Sequence, residues 1–327
     1  AASPPGAYAL AVRPARPGFQ LVALPQPPAR VNNDDRQVPP ATIALRRGGT
    51  WPIRVVARRE DGFDGEIRLT ASRLPEGVRA APGRIAPGQS AGVILLTAAT
   101  NAPAGAAAVE VAGEATVGNQ TLRRPARAGS VIHPLADFNN EPVASRPAAS
   151  LAVSVVRDEP APVVVEVPDA PLQASADGRL AFPLAIRRHG EFPAAFSLKP
   201  LGLPEVEKAK ETAVPEKAER AAVEWNLAEL KLPPGTHRLW FQGQLAGKYR
   251  NQPEALAAAD AELKAATEAV ASASAAEKPA REERRRAAEA RRKAAEERAK
   301  PRDATVAVFS APFEVRILAP TNATPAR

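Results

Sequence analysis

The feature that most restricts this 327-residue chain is that it states nearly the same pattern twice. In the first half, Thr50-Trp51-Pro52-Ile53-Arg54-Val55 leads to a turn at Gly62-Phe63, a run from Ile67 to Ala71, and Leu74-Pro75-Glu76-Gly77-Val78. In the second half, Ala181-Phe182-Pro183-Leu184-Ala185-Ile186 leads to Gly190-Glu191-Phe192, a run from Ala195 to Lys199, and Leu203-Pro204-Glu205-Val206. Ala102-Pro103-Ala104-Gly105 before one apolar run is matched by Leu232-Pro233-Pro234-Gly235 before Thr236 to Ala246. Within each run apolar and polar residues alternate, and Gly and Pro bound the runs, so they read as half-buried strands. The expected fold is mainly β: two tandem β-sandwiches, two copies making a tandem rather than a solenoid.

The pattern divides the chain into an N-terminal segment, 1–18, a first sandwich, 19–132, and a Pro- and Asn-rich link, 133–150. A second sandwich, 151–318, and a tail, 319–327, follow. The second copy carries two insertions. Residues 205–221 form a charged excursion read as a short helix or loop. Residues 253–300 are built from Ala, Glu, Lys and Arg, strong helix formers, with Pro279 inside. They predict helices over about 254–277 and 280–299, where the first copy has only a short turn near Gly118-Asn119. If the flanking strands 237–247 and 304–310 pair, the ends of the insertion meet and the helices form an antiparallel hairpin. Leu256, Ala259, Leu263, Ala266 and Val270 give one helix a narrow apolar stripe, and the other offers Ala280, Ala287, Ala294 and Ala295. Residues 254–278 hold 5 acidic and 2 basic groups and 280–302 hold 5 acidic and 10 basic, so the arms attract.

Composition removes several kinds of chemistry. With no Cys there is no disulfide, thiolate metal site or cysteine nucleophile, and three His far apart leave little for a zinc site or a histidine base. No apolar run approaches the roughly 18 residues of a membrane-spanning helix. No cofactor is expected. The chain has no Met and begins Ala1-Ala2-Ser3, as a processed secretory precursor or a piece of a longer chain would. Arg outnumbers Lys 34 to 10, which fits a GC-rich bacterial gene.

Few residues invite a chemical reading. Gly88-Gln89-Ser90-Ala91-Gly92 fits the G-x-S-x-G pattern of a hydrolase elbow, but a strand from Val93 follows where that motif needs a helix, so a polar turn is expected. Glu60, Asp61, Asp64 and Glu66 bracket a Gly-containing turn as calcium ligands can, without the spacing of a calcium loop; Asn32-Asn33-Asp34-Asp35 is a weaker case. Arg281, Arg284, Arg285, Arg291 and Arg292 are the candidate partner contact. Interleaved Glu and a lack of aromatics argue against nucleic acid, while the net charge of +8 leaves an anionic polymer open. Arg238, Trp240, Gln242 and Gln244 share one face of a strand, opposite His237, Leu239 and Phe241. Trp240 there is either a platform for a sugar ring or is covered by the base of the hairpin. Trp51 and Trp225 read as core, His189 as a turn residue and His133 as part of the link.

From Trp51 to Ala126 the chain resembles the immunoglobulin-like modules that follow pre-peptidase C-terminal (PPC) domains in large secreted or surface proteins of environmental bacteria. The resemblance rests on Arg59-Glu60-Asp61-Gly62-Phe63-Asp64-Gly65-Glu66-Ile67-Arg68-Leu69, Leu74-Pro75-Glu76-Gly77-Val78, Ile85-Ala86-Pro87-Gly88 and Ala102-Pro103-Ala104-Gly105. Ala7-Tyr8-Ala9-Leu10-Ala11-Val12 with Pro17-Gly18-Phe19-Gln20-Leu21 looks like the end of a PPC-type region, and Ala311-Pro312-Phe313-Glu314-Val315-Arg316-Ile317 closes a similar second copy. It implies an exported bacterial module, at the cell surface, in the periplasm or secreted, with no catalytic residues to carry over. The expected function is that of a non-catalytic structural or interaction protein that docks a protein partner or parent assembly through the hairpin. The alternative is a polysaccharide-binding module or an accessory region of a secreted hydrolase.

Overall fold

The computed structural model describes residues 14–25, 42–132, 144–170, 172–250 and 252–320. The segment Ala7–Val12, the acids Asp34 and Asp35 and His133 lie outside the described residues. The fold is mainly β, in several sheets.

The first half contains β1 (Gly18–Pro25), β2 (Thr42–Arg47), β3 (Thr50–Glu60), β4 (Ile67–Ser72), β5 (Val78–Ala81), β6 (Gly83–Ile85), β7 (Ala91–Ala98), β8 (Gly105–Val117), β9 (Gln120–Ile132), β10 (Ala144–Pro147) and β11 (Leu151–Pro160). β3 lies between β1 and β7, and β5 pairs with β7. β4 lies between β6 and β8, and β8 continues into β9. Alternation puts Ile53 and Val55 of β3, Ile67 and Leu69 of β4 and Ile94 and Leu96 of β7 into one buried cluster.

The second half contains β12 (Val163–Glu166), β13 (Leu172–Ser175), β14 (Arg179–Arg188), β15 (Phe196–Leu201), β16 (Thr212–Val214), β17 (Arg220–Asn226), a one-turn α1 (Leu227–Leu230), β18 (Gly235–Tyr249), α2 (Pro253–Ala271), α3 (Lys278–Arg298), β19 (Arg302–Phe309) and β20 (Phe313–Leu318). β14 lies between β12 and β17, and β18 pairs with β15, β19 and β20. The second buried cluster is built around Phe182, Trp225, Phe241 and Phe313, with Phe241 stacked on Phe313 at 5.4 Å. The 205–221 excursion becomes a 3-10 turn, Val206–Lys208, followed by β16, and both contribute buried valines, Val206 and Val214.

Strand pairing recurs between the halves and relocates the boundary between them. The early part of β8 (105–109) pairs with β11, and the later part (112–117) with β9. The early part of β18 (235–239) likewise pairs with β20, and the later part (242–249) with β19. β11 runs parallel to β2 as β20 runs parallel to β13. Leu151–Pro160, expected to open the second module, therefore closes the first: Leu151, Val153 and Val155 are buried in the first cluster as Phe313, Val315 and Ile317 are in the second. The expected link 133–150 is corrected accordingly. Its described part, 144–150, contains β10, which pairs back onto the end of β9 and leads into β11. The true junction is Pro160-Ala161-Pro162, whose Ala161 N–H donates to the Arg47 carbonyl at 2.8 Å.

One arginine clasp also occurs in each module. Arg59 donates to the carbonyls of Gly65 (2.7 Å), Ala86 (2.8 Å) and Gln89 (3.0 Å) and lies over the Phe63 ring. Arg188 donates to the carbonyls of Phe192 (2.6 Å), Ala194 (3.1 Å), Pro215 (3.2 Å) and Ala218 (3.4 Å) and lies over the Phe196 ring. Partial burial lowers the Arg188 pKa. Each clasp ties the turn after the second long strand to a distant loop, satisfying carbonyls that no ladder reaches.

Candidate functional site

A cleft of about 1000 Å³ is lined by both modules. It sits where the closing contacts of the two halves leave a gap. Trp51 meets Phe309 edge-on at 5.3 Å, Arg46 lies over the Tyr249 ring, and Arg238 Nη1 donates to the Pro82 carbonyl at 2.5 Å. Trp51, expected as core, thus also packs across the junction, whereas Trp225 lies inside the second core, edge-on to Phe182 at 5.5 Å.

β18 positions the cleft's second-module wall. His237, Leu239 and Phe241 point into the core, which turns Arg238, Trp240 and Gln242 toward the cleft. Gln244, on the same face, is not among the lining residues. The expectation that the base of the hairpin covers Trp240 is corrected: the helices leave β18 beyond Tyr249, roughly 30 Å along the strand from Trp240. Trp240 is half-buried, and no ring or guanidinium among the described residues stacks on it.

The first-module wall is cationic. Arg54, Arg68, Arg84 and Arg123 reach the cleft from β3, β4, β6 and β9. Arg68 pairs with Glu114 at 2.8 Å, Arg84 with Glu66 at 3.3 Å and, across the cleft, Arg238 with Glu314 at 2.7 Å. The side chains of Arg54 and Arg123 have no ion-pair or hydrogen-bond partner among the described residues. Composition and period carry no signal for these two; the packing of one module against the other places them in the same cleft as Trp240. Close strand approach shapes this wall: a Cβ on Gly83 would stand 2.1 Å from the Val93 carbonyl oxygen, and one on Gly92 would stand 2.3 Å from that of Arg84. Gly92 of the hydrolase-like pentapeptide is thus a packing glycine. The backbone carbonyl of Ser90 accepts from the Ala57 N–H, and β7 follows at once.

The candidate calcium acids diverge. Asp61 accepts from the Arg16 backbone, Asp64 from the Gly88 N–H at 2.8 Å, Glu60 from Gln20 at 2.8 Å, and Glu66 pairs with Arg84. Among the described residues no group of three or more His, Asp or Glu is placed to hold a metal ion. His237 is buried, with Nε2 2.7 Å from the Pro233 carbonyl, and His189 lies in the turn after β14.

The candidate partner arginines separate into two sets. Arg281, Arg285 and Arg292 are half-buried in the seam between α2 and α3, interleaved with Ala288, Ala295 and Ala299; Ala280, Ala287 and Ala294, expected there, are exposed. Arg292 reaches Asp260 on α2 at 2.7 Å, and Arg291 pairs with Glu262. Arg281 and Arg285 pair along their own helix with Glu277 and Glu289. The Asp260 and Glu296 carboxylates raise the Arg292 pKa. Of the five, Arg284 alone has no ion pair among the described residues and points to solvent.

No helix among the described residues is long and apolar enough to cross a membrane. No family model matches the chain, and no curated protein matches it. Among solved structures, domains 4–9 of the surface-layer protein SbsC match at 10% identity and a TM-score of 0.24, over 69% of this chain and 29% of that one. The fibronectin(III)-like modules of Clostridium thermocellum CbhA match at 9% identity and a TM-score of 0.22, over 88% of this chain and 95% of that one. At such TM-scores the chains do not superpose as one fold, so what this protein is similar to supplies neither its family nor its function.

Proposed function

We propose that this chain is a non-catalytic structural and interaction protein, working outside the cytoplasm, in which two immunoglobulin-like sandwiches carry a helical hairpin as a docking arm. The observation that carries the reading is the placement of the hairpin. α2 and α3 replace the tight turn that joins β8 to β9 in the first module, at the end of a paired strand ladder running to Tyr249 and Arg302. Helices of 19 and 21 residues are about 30 Å long, far more than is needed to connect two paired strands. Their root is held by Arg250, which bonds Glu191 at 2.7 Å and reaches the Ala299 carbonyl. The acids around the Gly62 turn bond turns and strands, the His237 ring is held at the Pro233 carbonyl, and Ser90 is followed at once by a strand rather than the helix of a hydrolase elbow, which supports a role without catalysis.

The test is the native mass of the assembly purified from its source, with mass-spectrometric identification of what co-purifies, beside a variant lacking residues 253–300. Stable subunits lost on deletion are the expected result. A monomer unchanged by the deletion would overturn the docking role.

A further inference from the structure

We infer that the cleft between the two sandwiches binds an acidic oligosaccharide, with Trp240 as the surface on which a sugar ring stacks and Arg54 and Arg123 as the anchors for its carboxylates. Three observations lead there. The first is the state of the indole. A Trp half-buried in a row of polar residues presents an apolar face in polar surroundings, which suits a pyranose ring, apolar on its faces and hydroxylated at its rim. The second is the density of hydrogen-bonding groups. The amide of Gln242, the hydroxyls of Thr70 and Thr236 and the paired Arg238 and Glu314 offer donors and acceptors from both walls, as a polyhydroxylated ligand requires.

The third observation is the charge left over. Three of the five lining arginines are neutralised by Glu114, Glu66 and Glu314, leaving Arg54 and Arg123 against Glu207. A guanidinium presents a planar fork that matches a carboxylate, so two such forks select an acidic sugar over a neutral one. A volume of about 1000 Å³ is at the upper end of the ~300–1,000 Å³ of small-molecule sites and accommodates several linked rings. An acidic peptide has the charge but lacks the hydroxyl-rimmed ring that a half-buried indole among hydrogen-bonding side chains would engage, so it serves as the control ligand.

The experiment is isothermal titration of the full chain with tetragalacturonate, its fully methyl-esterified form, and a tetraglutamate peptide. Tetragalacturonate is expected to bind, the ester about tenfold more weakly, and the peptide not at all. Trp240→Ala should weaken tetragalacturonate binding about tenfold, with Trp240→Phe recovering most of the loss. Exposed Arg54→Gln and Arg123→Gln, which leave the core untouched, should abolish the preference for acid over ester. No binding of tetragalacturonate at millimolar concentration, equal affinity for acid and ester, a preference for the peptide, or indifference to both sets of substitutions would each overturn the assignment.

Discussion

Arg59 and Arg188 show how much of each module depends on a single side chain. Each holds backbone carbonyls that the strand ladders leave unpaired, and a charged donor to such a carbonyl contributes about 1.5–3 kcal/mol. Arg188→Met is expected to lower stability by about 2–3 kcal/mol in urea denaturation followed by the fluorescence of buried Trp225, and Arg59→Met to destabilise the first module by a similar amount. Gly83→Ala is expected to cost about 1–3 kcal/mol, since its methyl group would meet the Val93 carbonyl at 2.1 Å and backbone must shift to admit it. A stability unchanged within error would refute the close approach. The clasp was half-visible in the sequence: the repeated turn with its phenylalanine is there to read, but the carbonyls that Arg59 reaches at Ala86 and Gln89 lie 27 and 30 residues away. Gly92 is a similar case, because its reason is a carbonyl on a neighbouring strand, which no local pattern encodes.

Among the elements, the helices were legible and their ends were not. The Ala, Glu, Lys and Arg bias locates both, yet α2 stops at Ala271 rather than 277. The cause is Ser274-Ala275-Ala276-Glu277, where the Ser274 hydroxyl and backbone N–H both donate to the Glu277 carboxylate and close a tight turn just before the next helix. Those bonds and Arg281 hold the Glu277 pKa below its ordinary 4.5. A depressed carboxylate stabilises the fold above its unfolded pKa and loses that contribution as pH falls through its folded value. The hairpin turn should therefore loosen only under acidic conditions. Ser274→Ala should move the Glu277 midpoint in an NMR titration upward toward 4.5; an unmoved midpoint would show that these two bonds do not form in solution. The α3 seam departs from the apolar pattern because long charged side chains also fill it. The aliphatic stems of Arg281, Arg285 and Arg292 fill the positions expected of alanine while their heads reach carboxylates. Ala288, 1% exposed, sets the distance between the helices, so Ala288→Leu is expected to destabilise the hairpin by about 1–3 kcal/mol. Far-UV circular dichroism should then lose helical signal at lower temperature while the β signal persists.

On the scale of the whole molecule, the repeat makes two separate buried clusters legible, while β11 belongs to the first of them rather than the second. The alternation of Leu151, Val153 and Val155 says that a strand is present, but not which sheet receives it; that is decided by pairing with β8 and β2 across long stretches of chain. With β11 in the first module, only Pro160-Ala161-Pro162 joins the halves, and two prolines leave this junction little backbone freedom. Trp51 on Phe309 and Arg238 on Pro82 then fix the angle between them. The intact protein is expected to give one calorimetric transition, and Trp51→Ala combined with Arg238→Ala to give two; a single transition in both would refute the coupling. β18 has a mechanical consequence. Its early part borders the cleft and its far end roots the helices, so a load at the tip of the hairpin acts as a lever arm of about 30 Å on a strand that also carries Trp240. Torque there is resisted by the ladders to β15, β19 and β20, which load in shear across many hydrogen bonds together rather than opening one at a time.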